Sequence, residues 1–244
     1  MESDIHLHLG DCISGMRLLP DRSFDYCFTD PPYNVNYQSG HRKKNLLPGV
    51  RNDHLPVSQY QELMDAAFGQ LQRLLKPGAV LHVCGGWSTS DQILPVLKAH
   101  FTLKACIVWD KVHIGPGYWV RSRHEFVYLM INGHRPPPIP AHRPPDIWPI
   151  PRPPTNKRLH VCEKPVDLVT RAMVPFTDRG DRVIDPFMGS APVAEACWRT
   201  GRRFVGWELD PGNLAGALAR MKRVGAQFAL IATDQAEEKA QPPE

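Results

Sequence analysis

The sequence predicts an α/β fold, an open sheet with helices packed on it. Three observations carry that prediction. Apolar runs of strand length alternate with amphipathic helical stretches along most of the chain. Two stiff turn motifs, Thr29-Asp30-Pro31-Pro32-Tyr33-Asn34 and Pro186-Phe187-Met188-Gly189-Ser190, each follow a strand-like run. The second motif opens a strand, loop, helix, strand unit that closes on an acid, Glu208.

The elements follow in order. Residues 5–9 alternate apolar side chains with His6 and His8, the period of a short strand. That spacing also suits a metal pair, but no other ligand cluster accompanies it, so two exposed strand positions are the better reading. Gly10-Asp11-Cys12 ends the strand and residues 13–19 make a short helix. Asp11 is its N-cap or a ligand acceptor. Residues 24–28 form the next strand, stopped by Pro31 and Pro32, which lack an N–H and fix their own φ. Ser58 caps an amphipathic helix over 58–75, with Leu63, Ala67, Leu71 and Leu74 on one face. Lys76-Pro77-Gly78 turns the chain into a buried strand, 79–84. A helix over 90–99 and a strand over 101–109 complete a β-α-β alternation. One more strand, 126–131, follows Arg121, Arg123, His124 and Glu125. Pro165 starts a helix over 166–174. A short strand at 182–185, a helix over 192–199, a strand at 203–207 and a helix over 211–223 finish the folded part. Residues 233–244 are a polar tail.

Composition bounds the function. The 42% hydrophobic share supports a real core in a chain of 244 residues. No apolar run approaches membrane-spanning length, and the start lacks a signal-peptide pattern. The six cysteines include no C-x-x-C pair, which disfavours zinc and disulfides and suits a reducing cytoplasm. A net charge of +4 permits a nucleic-acid partner without requiring one. Residues 36–56 carry Arg42, Lys43, Lys44 and Arg51, either a solvated surface run or an arm on phosphates. Residues 133–154 hold ten of the 25 prolines, and no packed element is predicted there. Between 133 and 158, Arg135, Arg143, Arg152, Lys157 and Arg158 face one acid, Asp146. That imbalance favours a basic strap along a polyanion over a plain Pro-stiffened linker.

Asp30 stands where open α/β sheets place their ligands, at the carboxyl end of a strand. A carboxylate beside a backbone carbonyl suits methylation of an amine on an aromatic ring, whose lone pair is delocalised. Asp30 and the Pro31 carbonyl would accept the two amine protons and turn the lone pair out of the ring plane. Tyr33 offers a face for the base to stack on. A plain Asp-Pro turn is the other reading. In the late unit, 19 positions separate Gly189 from Glu208, the spacing of a nucleoside-binding βαβ unit whose distal acid accepts from ribose hydroxyls. One loop glycine serves a pyrophosphate poorly, so a nucleoside without phosphates, such as S-adenosylmethionine, fits better. The nucleoside loop comes last and the Asp30 strand early, so the sheet reads as circularly permuted, with both turns at one crevice.

The chain resembles the beta-class amino-methyltransferases of DNA, which place an Asp-Pro-Pro-Tyr motif ahead of an Asp-Pro-Phe-x-Gly-Ser motif. The matching stretches include Leu9-Gly10-Asp11-Cys12, Asp30-Pro31-Pro32-Tyr33, Leu75-Lys76-Pro77-Gly78, Trp109-Asp110-Lys111, His124-Glu125, Glu163-Lys164-Pro165, Asp185 with its following loop, and Gly206-Trp207-Glu208. The resemblance implies a seven-stranded Rossmann-like methyltransferase sheet over residues 1–232, with S-adenosylmethionine as donor and double-stranded DNA as partner. Asp30, Pro31, Pro32 and Tyr33 carry over as the catalytic motif. Asp185, Phe187, Gly189, Ser190 and Glu208 carry over to the cofactor, with Asp11 and Lys164 on its far side. Residues 133–160 become a short Pro-rich target-recognition insertion, and Arg42, Lys43, Lys44, Arg121, Arg123, Arg143, Arg152 and Arg158 the DNA-contacting cations. Asp at position 30 points to adenine, and cytosine N4 is the runner-up. No metal is implied. Restriction-modification is the implied setting; a homodimer and a partner nuclease stay open. One departure stands out: the family continues Gly-Ser-Gly-Thr where this chain has Gly189-Ser190-Ala191-Pro192. A catalytically silent DNA-binding homologue with a decayed loop is therefore the rival reading.

Overall fold

Strands that are apolar on both faces need cover on both sides. Most strand residues near the sheet centre are fully buried, and helices supply that cover. A computed structural model describes residues 4–36, 51–115, 117–134, 144–153 and 163–232. In chain order the elements are β1 (Ile5–Leu9), α1 (Cys12–Arg17), β2 (Phe24–Thr29), α2 (Val57–Leu74), β3 (Leu75–Gly85), α3 (Ser90–His100), β4 (Thr102–Asp110), β5 (His124–Ile131), β6 (Ile147–Pro149), α4 (Val166–Met173), β7 (Arg182–Asp185), α5 (Pro192–Thr200), β8 (Arg203–Glu208), α6 (Pro211–Arg223) and β9 (Ala229–Ala232). The strands form one sheet in the order β6-β4-β5-β3-β2-β7-β8-β1-β9. Only β5 pairs antiparallel with its neighbours.

Two hydrophobic layers sandwich the sheet. On one side Met16, Tyr60, Met64, Phe68, Leu71 and Leu97 bring in α1, α2 and α3. On the other Leu168, Met173, Val193, Leu214 and Met221 bring in α4, α5 and α6. The side-chain alternation of β2 feeds both, with Tyr26 and Phe28 on the second layer and Cys27 on the first.

The permuted order is realised. β1 lies parallel to β8, in register from Ile5↔Phe204 to Leu9↔Glu208. The seven expected strands are present, with two further short ones. β9 adds to β1 at one edge. β6 adds to β4 at the other, inside the stretch where no packed element was expected. Its reason is tertiary: Trp148 is buried, and the Val108 N–H and Ile150 N–H lock the segment to β4 at 2.7 and 3.0 Å. Pro149 is tolerated because β6 is an edge strand. Helix α2 starts at Val57 rather than after Ser58, with Pro56 at the cap and no side-chain capping bond.

Behind the late loop one buried cation ties three segments. Arg220 of α6 is 2% exposed and meets Glu163 at 2.5 Å and Glu195 of α5 at 2.6 Å. Its Nε donates to the Ser190 carbonyl at 2.6 Å. Arg220→Leu leaves two buried carboxylates without that partner, and should cost about 3–5 kcal/mol. Urea unfolding checks this, and a loss below about 1 kcal/mol would contradict it.

Candidate functional site

The pairing of β2 with β7 builds the site. They are parallel neighbours, with Tyr26↔Val183 and Cys27↔Ile184. Their carboxyl ends therefore lie side by side, although 155 positions separate Asp30 from Asp185 (185 − 30). The Thr29 hydroxyl donates to Asp185 Oδ1 at 2.8 Å, and the Phe187 N–H donates to the same oxygen at 3.1 Å. Asp185 thus fixes both turns at once. The Tyr60 hydroxyl holds the Pro32 carbonyl at 2.9 Å. Asn34, at φ +58°, binds the Leu55 backbone and the Gln92 side chain.

All eleven residues assigned from the sequence to catalysis or cofactor line one cavity of about 350 Å³. They are Asp30, Pro31, Pro32 and Tyr33 of the acidic turn, with Asp11, Lys164, Asp185, Phe187, Gly189, Ser190 and Glu208. Asp11 is also the N-cap of α1, accepting from the Ser14 N–H at 2.8 Å. Glu208 Oε1 accepts from the Asp210 N–H at 2.7 Å and the Asn213 amide at 3.4 Å. Burial raises the Glu208 carboxyl above its usual range.

A charge network surrounds Asp30. Lys164 Nζ lies 2.6 Å from Asp30 Oδ2 and 3.1 Å from Glu125 Oε2. The Tyr33 hydroxyl donates to Glu125 at 3.1 Å, and Lys111 reaches the other Glu125 oxygen at 3.2 Å. Burial raises the Asp30 carboxyl above the usual range, and Lys164 opposes that shift. Glu125 behaves oppositely. Desolvation works to raise it, but Lys164 and Lys111 together outweigh burial and hold it at about 2. Lys164 also sits 5.1 Å from the Tyr33 ring centre and 5.8 Å from that of Trp109. Among the described cavity-lining residues, Asp30 Oδ1, Asn213 Oδ1 and Trp207 Nε1 are buried with no hydrogen-bond partner. The first two are acceptors, which a ligand bearing N–H and O–H groups suits, and the third is a donor. Carboxylates from two turns, Glu208 and Asp30, line this one cavity, and such acceptors suit the hydroxyl and amine donors of S-adenosylmethionine.

Glu125 and Lys111 were not among the sequence assignments to this site. The family-matching stretches Trp109-Asp110-Lys111 and His124-Glu125 were the available signal; the role itself comes from Lys164 and Tyr33, which are distant in sequence. Of the assigned cations, Arg152 lines the cavity. Arg121 donates to the Gly115 carbonyl at 3.1 Å. Arg123 grips Asp110 through two bonds of 2.6 Å, which hold that carboxyl below its usual range. Arg42, Lys43, Lys44, Arg143 and Arg158 lie outside the described residues. In the divergent loop, Ala191 adopts the left-handed conformation at φ +59°, a strained one for a residue with a Cβ. It faces the core, while Pro192 borders the cavity. Among the described residues no group of three His, Cys, Asp or Glu is arranged to hold a metal ion. No described helix is long and apolar enough to cross a membrane.

Fold and site together define a nucleoside-binding sheet with an acidic turn at its ligand edge. The chain belongs to the DNA methylase family, whose model matches residues 24–218. It is 30% identical over 203 residues to YubD of Escherichia coli, named as a candidate methylase, covering 82% of each chain. It is 26% identical to the type II methyltransferase M.HhaII of Haemophilus parahaemolyticus, covering 81% of this chain and 87% of that one. Among solved structures, the PvuII DNA methyltransferase, specific for cytosine N4, superposes with a TM-score of 0.73 at 17% identity, over 95% of this chain and 96% of that one. TTHA0409 of Thermus thermophilus, a candidate DNA modification methylase complexed with S-adenosyl-L-methionine, gives 0.69 at 23% identity, over 95% and 98%.

Burial pushes the Asp185 carboxyl from an ordinary 3.8 up to about 7. An acid with a raised folded pKa favours the protonated protein, so its contribution to stability falls as pH rises from about 4 to about 7. Asp185→Asn removes that loss. Its melting temperature relative to wild type should climb across the window, by about 3 °C or more. Parallel curves at both ends of the window would contradict the shift.

Proposed function

We propose that this DNA methylase moves a methyl group from S-adenosylmethionine to the exocyclic amine of adenine in DNA. The observation that carries the proposal is the state of Asp30. Lys164 anchors Oδ2, while Oδ1 is buried without a hydrogen-bond donor in the cavity shared with the glycine loop. An amine N–H is the donor that this oxygen lacks.

On this reading Glu208 takes the ribose hydroxyls, and the loop from Asp185 to Ser190 packs along the nucleoside. When bound, the cofactor supplies an electrophilic methyl on a sulfonium. The target base leaves the duplex, because its amine is unreachable when paired and stacked. Tyr33 stacks on the base, its hydroxyl held by Glu125. Asp30 and the Pro31 carbonyl accept the amine protons and direct the lone pair. The nitrogen–carbon bond forms as the carbon–sulfur bond breaks, and the cationic nitrogen then sheds a proton towards Asp30 and solvent. Positioning and fixed charge do most of the work. Lys164 opposes the rise that burial imposes on Asp30, and Glu125, itself bonded to Lys111, holds Lys164 in place. Arg152 at the rim, with Arg42, Lys43, Lys44, Arg143 and Arg158, supplies phosphate contacts. The Asp form of the motif supports adenine over cytosine; the likeness to a cytosine-N4 enzyme concerns the shared fold.

Asp30→Ala should lower kcat by at least about 100-fold. The affinity for S-adenosylmethionine, read by calorimetry, should stay near wild type. Near-normal turnover would overturn the mechanism. Mass spectrometry of hydrolysed product DNA should find N6-methyladenine, and N4-methylcytosine in its place would overturn the choice of base.

A further inference from the structure

The link between β4 and β5 carries an aromatic pair that the chemistry above leaves unused. Tyr118 is 93% exposed, Trp119 90% and Val120 75%. Aromatic side chains this exposed, side by side, mark a contact surface more often than a solvated loop. Turn apices usually take Gly, Asn, Asp or Pro, so two large rings there are not explained by turn chemistry.

The rings stand on a stiff base. The antiparallel pairing of β4 and β5 reaches Asp110↔His124. It continues outward through Lys111 N–H to Arg123 C=O at 2.9 Å and Gly115 N–H to Ser122 C=O at 2.7 Å. At Gly117 a Cβ would lie 1.9 Å from the Val120 carbonyl oxygen, so only glycine closes this turn. The Tyr118 and Trp119 rings meet edge to face, with centres 5.3 Å apart.

The feet of the hairpin belong to the site. Lys111 and Glu125 are ion-paired to each other, and Glu125 is paired to the Lys164 that holds Asp30. Gly115 and Ser122 line the same cavity as Asp30. The hairpin therefore rises from the cavity rim, with Arg121 beside its tip. A ring pair beside a cation at the mouth of a base-sized cavity matches one occupant: duplex DNA at the step where a base has been withdrawn. Phosphates meet the cation, and the vacated stack accepts an apolar ring.

We propose that the Tyr118–Trp119 tip is a wedge, entering the duplex beside the target nucleotide and filling the gap left by the extruded base. This rests on the DNA-methylation reading above. The wedge compensates the cost of unstacking, so its value depends on how firmly the target base is paired.

The test uses the full chain and two duplexes carrying the site that sequencing of DNA from an expressing host identifies. One duplex is fully paired, and the other has a mismatch opposite the target base. The double variant Tyr118→Ala, Trp119→Ala should melt as wild type does, since both rings are exposed. It should lose about tenfold or more in kcat/KM on the paired duplex. Most of that loss should vanish on the mismatched duplex, and Trp119→Phe should stay close to wild type on both. An equal loss on both duplexes, or no loss on either, overturns the wedge alone. A wild-type protein that methylates neither duplex overturns the reading beneath it, and the wedge with it.

Discussion

The ion pair between Lys164 and Asp30 is the contact on which the site depends. It joins an early turn to a segment 134 positions later, at 2.6 Å, with Lys164 almost fully buried. A buried ammonium is costly unless it is paired. Here two carboxylates meet it, Asp30 and Glu125, and two aromatic rings lie near it. One residue away, Glu163 holds Arg220, which in turn holds the Ser190 carbonyl and α5. The Glu163-Lys164 dipeptide is thus a hinge pin, with one side chain on the acidic turn and its neighbour on the brace behind the glycine loop.

The permuted order makes such a pin necessary. The β2–β7 pairing rests on two register pairs, Tyr26↔Val183 and Cys27↔Ile184. Thr29 and Asp185 extend it by one side-chain bond at the ligand edge. The turns that flank the cavity depend on these few cross-strand contacts for their spacing, because the chain between them travels through α2 to α4 before returning. Asp185, half of that bond, is raised to about 7 by its own burial. Positioning the two turns therefore costs stability near neutral pH, a familiar trade at functional sites.

Much of this was legible in the residues. The two turn motifs stood out because proline and glycine act locally, and their effects need no tertiary partner. The seven main strands stood out because β2, β3 and β5 are near-continuous apolar runs. What stayed hidden depends on distant neighbours. Glu125 and Lys111 lie in family-matching stretches, but their roles emerge only when β4, β5 and the Lys164 segment come together. Strand β6 is three residues inside a proline-rich stretch, made a strand by its bonds to β4 and by the burial of Trp148 against the sheet. Arg123 was assigned to DNA from its charge alone, and its pairing with Asp110 across the hairpin was not visible in the sequence. At Ala191 the substitution for glycine was visible in the sequence; that the residue still takes the left-handed conformation, methyl inward, was not.

The central claim is that donor and base share one cleft between the Asp30 turn and the Gly189 loop. A crystal structure with S-adenosylhomocysteine, the spent cofactor, tests it most directly. The account predicts ribose hydroxyls on Glu208, the adenine beside Phe187, and the sulfur facing the space next to Asp30. A nucleoside bound elsewhere, or a sulfur turned away from Asp30, would contradict it.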